Sequence, residues 1–191
     1  MSDLELFEDK KFVNINFEKR SFIKAEYENC EFKNCIFSNV KLSESIFISC
    51  TFSDCDFAGS NISATVFRDA IFHKCNLSGL QFDSCNQLLL SFEFTSCKLN
   101  LASFFGMKML NTEFKKCEMV ETDFGRADLS GSVFNDCDLK NSIFDNSNLS
   151  KCDFLKAYNY VIDPDNNKIS KAKFSLIGIP GLLTKYDILI E

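Results

Sequence analysis

From Phe12 the sequence places a large apolar residue at every fifth position: Phe17, Phe22, Tyr27, Phe32, Phe37, Leu42, Phe47, Phe52, Phe57, Ile62, Phe67, Phe72, Leu77 and Phe82. The register then slips by two and runs from Phe94 through Leu99, Phe104, Met109, Phe114, Met119, Phe124, Leu129, Phe134, Leu139, Phe144 and Leu149 to Phe154. Neither helical periodicity nor plain strand alternation sustains a step of five. Two residues before these centres the chain favours small side chains, such as Ala25, Ser45, Thr65, Ala102, Thr122 and Ser132. All ten cysteines fall on this step of small positions, Cys85 as its last before the slip: Cys30, Cys35, Cys50, Cys55, Cys75, Cys85, Cys97, Cys117, Cys137 and Cys152.

In extended backbone, side chains alternate faces, so the centre and the small residue share one face and the residue between them points out. The remaining two residues turn a corner, where Ser, Asn, Asp and Gly belong. Asn34, Asn39, Asp54, Gly59, Gly79, Gly131, Asn141 and Asn146 fall at or beside such corners. A corner every five residues closes a square coil every twenty. That period creates a column of Phe12, Phe32, Phe52, Phe72, Phe94, Phe114, Phe134 and Phe154, and a second of Cys35, Cys55, Cys75, Cys97, Cys117 and Cys137. Both cross the slip only if two residues are inserted, as a bulge within residues 83–93. Phe12 to Ala157 spans roughly seven coils, about 35 Å at ~4.8 Å per coil.

Stretches such as Ala127-Asp128-Leu129-Ser130-Gly131 and Cys137-Asp138-Leu139-Lys140-Asn141 resemble the repeat of the pentapeptide-repeat family. The resemblance covers about residues 10–157. It implies an all-β fold, a right-handed quadrilateral parallel β-helix with hydrogen bonds between coils. The expected organisation is an N-terminal cap at 1–11, a solenoid at 12–157, and a C-terminal cap and dimerisation segment at 158–191. Lys10 and Arg20 fall on small-residue positions, which makes the first coil irregular.

Eighteen of the 22 Phe residues stand on the centre positions, and the cysteines read as small buried fillers, reduced and structural. The interior positions supply no converging ligands for a metal. No phosphate-binding loop, zinc-helix motif or nucleophile elbow is present, and His73, the only histidine, reads as a surface residue. The expectation is a protein that is not an enzyme, with no cofactor and no metal. A net charge of −6 disfavours nucleic acid and favours a basic protein surface. The acidic first residues and the lack of a long apolar run lead us to expect a cytoplasmic protein with no membrane partner.

The tail is apolar: Leu176, Ile177, Ile179, Leu182, Leu183, Ile188 and Ile190. It reads as a cap with a short helix over 176–186 and a closing strand at 187–191, or as a cap that is also a homodimer interface through Leu176, Ile179, Leu182, Leu183, Ile188 and Ile190. Ile162-Asp163-Pro164, Leu182-Leu183 and Ile188-Leu189-Ile190 resemble the C-terminus of the Qnr-type quinolone-resistance branch. That resemblance implies end-to-end dimers and a DNA mimic that binds DNA gyrase or topoisomerase IV and protects it from quinolones. On this reading Glu118, Glu121, Asp138, Asp123 and Asp128 form an acidic partner-binding face. Leu88, Leu89, Leu90 and Phe105 form a second candidate contact at the bulge, or only a well-packed bulge. The alternative is a scaffold or interaction module with an unrelated protein partner.

Overall fold

In the computed structural model, which describes residues 4–190, every strand pairs in parallel with a strand of the neighbouring coil. Residues 1–3 and Glu191, the outer ends of the expected terminal segments, lie outside the described residues. The first side of the coil carries β1 (Glu5–Glu8), β3 (Ala25–Glu28), β5 (Ile46–Ile48) and β7 (Val66–Arg68). The second carries nine strands: β2 (Lys11–Val13), β4 (Glu31–Lys33), β6 (Thr51–Ser53), β8 (Ala70–His73), β9 (Phe92–Thr95), β10 (Glu113–Lys115), β11 (Val133–Asn135), β12 (Asp153–Phe154) and β13 (Lys173–Phe174). Single bridges build the third side, Asn16–Ile36–Asp56–Asn76–Lys98–Glu118–Asp138–Tyr158, and the fourth, Lys41–Asn61 and Gln81–Ser103–Asp123–Ile143. The chain is a right-handed quadrilateral parallel β-helix of about eight turns with one short C-terminal helix, α1 (Pro180–Leu183).

Pairing extends beyond the apolar pattern at both ends. Phe7 pairs with Tyr27, and Phe154 with Phe174. Residues 158–166 abandon the five-residue step, yet Lys168 rejoins Asn148 and Lys173 rejoins Asp153, each at a twenty-residue offset. Ile169 and Phe174 take the centre positions of this last coil and pack against the core.

The Phe column is a stack of near-parallel rings. Centroids are 4.7 Å apart for Phe12–Phe32, 5.0 Å for Phe114–Phe134 and 5.2 Å for Phe154–Phe174, with interplanar angles of 8°, 8° and 2°. Rings on opposite sides meet edge to face, as in Phe134–Phe144 at 6.3 Å and 85°. Both arrangements suit the aromatic quadrupole. The small position has a second role. Its hydroxyl or thiol donates to the carbonyl of the centre residue one coil back: Thr65 Oγ1 to Leu42 at 3.0 Å, Ser132 Oγ to Met109 at 2.9 Å, Cys75 Sγ to Phe52 at 3.4 Å. Ser, Thr and Cys are thus both small enough and able to donate.

Corners take the left-handed conformation, with φ of 51° at Asn34, 58° at Asn39, 54° at Asp54 and 56° at Asn141 and Asn146. Asn and Asp tolerate it best among residues with a side chain. At Gly131 φ is 78°, at the corner where Asn111 and Lys151, one coil before and after, take 56° and 61°; glycine adopts this conformation without steric cost.

The two extra residues lie between Asn86, which bridges to Val66 twenty residues earlier, and Phe92, which pairs with Ala70 twenty-two earlier. Leu89 takes φ of 57°, and the chain is pinned on re-entry by Ser91, whose Oγ accepts from the Asp69 amide and donates to its carboxylate, both at 2.7 Å. Leu88 and Leu89 point to solvent, which leaves the first side without its inward centre in this coil. Phe92 fills the space from a position that elsewhere holds a small residue. It is buried, with its ring 5.3 Å from Phe82 and from Phe94 and 5.7 Å from Phe67.

At the C-terminal end, short helical turns at Leu176–Gly178 and Thr184–Tyr186 flank α1, with Pro180 opening it. Leu182 is buried and Gly181 accepts from the Ile162 amide at 3.0 Å, so this segment covers the last coil. The expected closing strand is absent among the described residues: 187–190 pair with nothing after the left-handed turn at Asp187, φ 50°.

Candidate functional site

Stacked rings fill the interior along its length: Phe32, Phe52, Phe72, Phe94 and Phe114 are each at most 1% exposed. Among the described residues this leaves the outer surface as the place to look for a site. Among the described residues no group of three His, Cys, Asp or Glu side chains is placed to hold a metal.

All ten cysteines are free and buried. Burial pushes the Cys50 and Cys152 thiols up to about 12, and Cys85 higher still. These three are protonated at neutral pH and unreactive, since the thiolate is the nucleophile. Thiol titration should therefore find few reactive groups in the native protein and ten after denaturation. Fast native labelling of most of them would refute the structural role.

The structure distributes the candidate acidic residues over three sides. Glu118 and Asp138 bridge one another on the third side. Glu121 stands at the corner that follows, with φ of 56°. Asp123 lies on the fourth side and Asp128 on the first, opposite Glu118. Three of these carboxylates also cap corners. Asp123, Asp128 and Asp138 accept from the amides of Gly125, Ser130 and Lys140 at 2.8–3.1 Å. Asp128 and Asp138 take a second hydrogen bond, from Asn148 and Asn159, at 2.9 and 2.8 Å. Glu118 accepts from Asn100 at 2.6 Å. Their charge remains outside, but part of their presence is explained by turn geometry.

The candidate bulge residues also divide. Leu88 and Leu89 are exposed and Leu90 half-buried, at the corner between the first and second sides. Leu110, one coil on and 54% exposed, joins them there. Phe105 instead stands at the corner between the fourth and first sides, after Ser103 and before Lys108. Sequence reasoning missed Leu110, although its offset of twenty from Leu90 carried the signal.

In the tail, Leu182 packs into its own chain and Ile179 packs partly against the core. Leu183 is half-buried. Leu176, Ile188 and Ile190 are exposed, as are Ile177 and Leu189, which are 94% and 96% accessible. Of the six residues expected at a dimer interface, Leu182 is therefore unavailable to a second copy.

A family profile described as pentapeptide repeat region matches residues 25–104 and, shifted by one coil, 45–124, and one for pentapeptide repeats (8 copies) matches 117–155. No curated protein matches the sequence. Full-length QnrB1, a plasmid-mediated fluoroquinolone resistance protein, is 19% identical with a TM-score of 0.54, covering 96% of this chain and 100% of that one. A trypsin-treated form of QnrB1 is 18% identical with the same TM-score, over 98% and 99% of the two chains. At these identities the likeness is one of fold.

Proposed function

Because the chain belongs to the pentapeptide-repeat family, whose solenoid is a non-catalytic type of scaffold, we propose that it works without catalysis, as a cytoplasmic acidic rod that binds a type II DNA topoisomerase, DNA gyrase or topoisomerase IV, in place of DNA. The observation that supports this most is a filled rod with a net charge of −6. Only its outside can act, and the outside has the sign of DNA, which complements a surface built to hold phosphates. QnrB1 is a fluoroquinolone resistance protein, and the shared fold motivates the same protection here.

The exposed tail residues Leu176, Ile177, Ile188, Leu189 and Ile190 would join two rods end to end, giving a homodimer of twice 21.8 kDa in light scattering; a monomer at micromolar concentration refutes that part. The function is tested with purified gyrase. The protein should lower supercoiling and reduce quinolone-stabilised DNA cleavage. No effect on either, at protein in excess over enzyme, defeats the topoisomerase reading.

One observation also fits a second reading. The acidic residues lie on three sides and several serve the corners, which a scaffold for an unrelated protein partner explains equally well.

A further inference from the structure

The fourth side changes character in the coils after the bulge. Its outward positions, with the corners that flank them, form rows that follow the bridges Ser103–Asp123–Ile143. Rows stand about 4.8 Å apart. The first row presents Leu101 and Phe105 around Ser103. The second presents Glu121 and Asp123, and the third Ile143 and Asp145. Leu101 is 60% exposed, Phe105 42% and Ile143 49%. No lysine or arginine occupies an outward position within 101–105, 121–125 or 141–145. Other sides mix their charges, as at Glu113, Lys115 and Lys116 on the second.

Two details show how this surface treats a cation. Gly125 in the second row leaves room for the Phe105 ring to lie across it: an added Cβ would be 3.1 Å from the ring edge. The guanidinium of Arg126 sits 5.5 Å from the centre of that same ring. An aromatic face held flat by a glycine, beside the half-buried Asp123 carboxylate, is an environment that attracts a cation.

We propose that this patch on the fourth side, made by Leu101, Phe105 and Ile143 with Glu121, Asp123 and Asp145, is the docking surface for a protein segment that carries arginine or lysine between apolar anchors. The apolar residues supply contact area and the carboxylates supply charge complementarity. A nucleic acid lacks the charge to fit it. The inference rests on the reading of the rod as a binder of a basic partner, and it places that contact on one side only.

The test is an anisotropy titration of the full chain with a fluorescein-labelled peptide that alternates arginine with leucine. The triple variant L101S/F105S/I143S is compared with I71S/V133S/L155S, which removes apolar residues of similar exposure from the second side. The patch variant should bind at least about tenfold more weakly, and the second-side variant within about twofold of the parent. E121Q/D145N leaves every apolar residue and the corner cap of Asp123 in place. It should weaken binding as well and flatten its salt dependence, which keeps the test decisive if the triple variant does not fold. Absence of binding by the parent chain, or equal loss in the two triple variants, overturns the assignment. Failure of the topoisomerase reading is seen separately, in the supercoiling assay, and does not enter this titration.

Discussion

Phe114→Asp should leave no folded solenoid at room temperature. Phe114 is fully buried, stacked at 5.3 Å on Phe94 and 5.0 Å on Phe134, with the edges of Phe104 and Phe124 at 6.2 and 6.0 Å. Truncating such a ring costs about 3–5 kcal/mol. Burying an unpaired carboxylate adds several more, against a total stability of roughly 5–15 kcal/mol for a domain. In a solenoid each coil is held by its neighbours, so a failure in the middle removes support from both halves. Circular dichroism and thermal melting decide the matter. A folded variant that melts with the parent would show that the Phe column is not the core.

Phe92→Ala should be the next most damaging single change, at about 3–5 kcal/mol in urea unfolding. The ring fills the interior space that the bulge leaves without a centre residue, among Phe67, Phe82 and Phe94. Alanine would restore the small residue usual at this position and yet open a cavity. Leu88→Ala, four residues earlier in the same bulge, should change stability by no more than about 0.5 kcal/mol, because Leu88 is 71% exposed. Equal effects from the two substitutions would contradict the compensation described for the bulge.

These two cases mark what the sequence makes legible. The Phe column and the cysteine column follow from a step of five and a period of twenty, because a filled square interior admits one large and one small side chain per side. The corners follow too, since Asn34, Asp54 and Gly131 are residues that accept a left-handed backbone. Phe92 is hidden for a physical reason: it breaks the small-residue rule in order to repair the interior, and a pattern cannot announce its own exception. The coil beyond Ala157 is hidden because Asn159 and Pro164 interrupt the step of five before Ile169 and Phe174 resume it, twenty residues after Leu149 and Phe154.

The candidate site was less legible than the fold, though part of the signal was available. Glu118, Asp123 and Asp128 are spaced by five, and a step of five moves the chain to the next side, so the three could never share a face. Phe105 stands beyond the end of the fourth side for the same reason, away from Leu88 and Leu89. The roles of Asp123, Asp128 and Asp138 as corner caps needed the structure, because an outward carboxylate reads alike in sequence whether it accepts from an amide or only from water. The orientation of Leu182 into its own chain likewise depends on how the last helical turns fold back over Tyr160 and Ile162.

The central claim is that the rod occupies a surface made for DNA. Competition tests it most directly: purified gyrase is loaded with a fluorescent linear duplex and the protein is titrated in while anisotropy is read. The account predicts that the duplex is released, and that more protein is needed as salt rises, because exposed charges are screened. Binding of the protein to gyrase with the duplex still in place, or no binding at low salt, would contradict it.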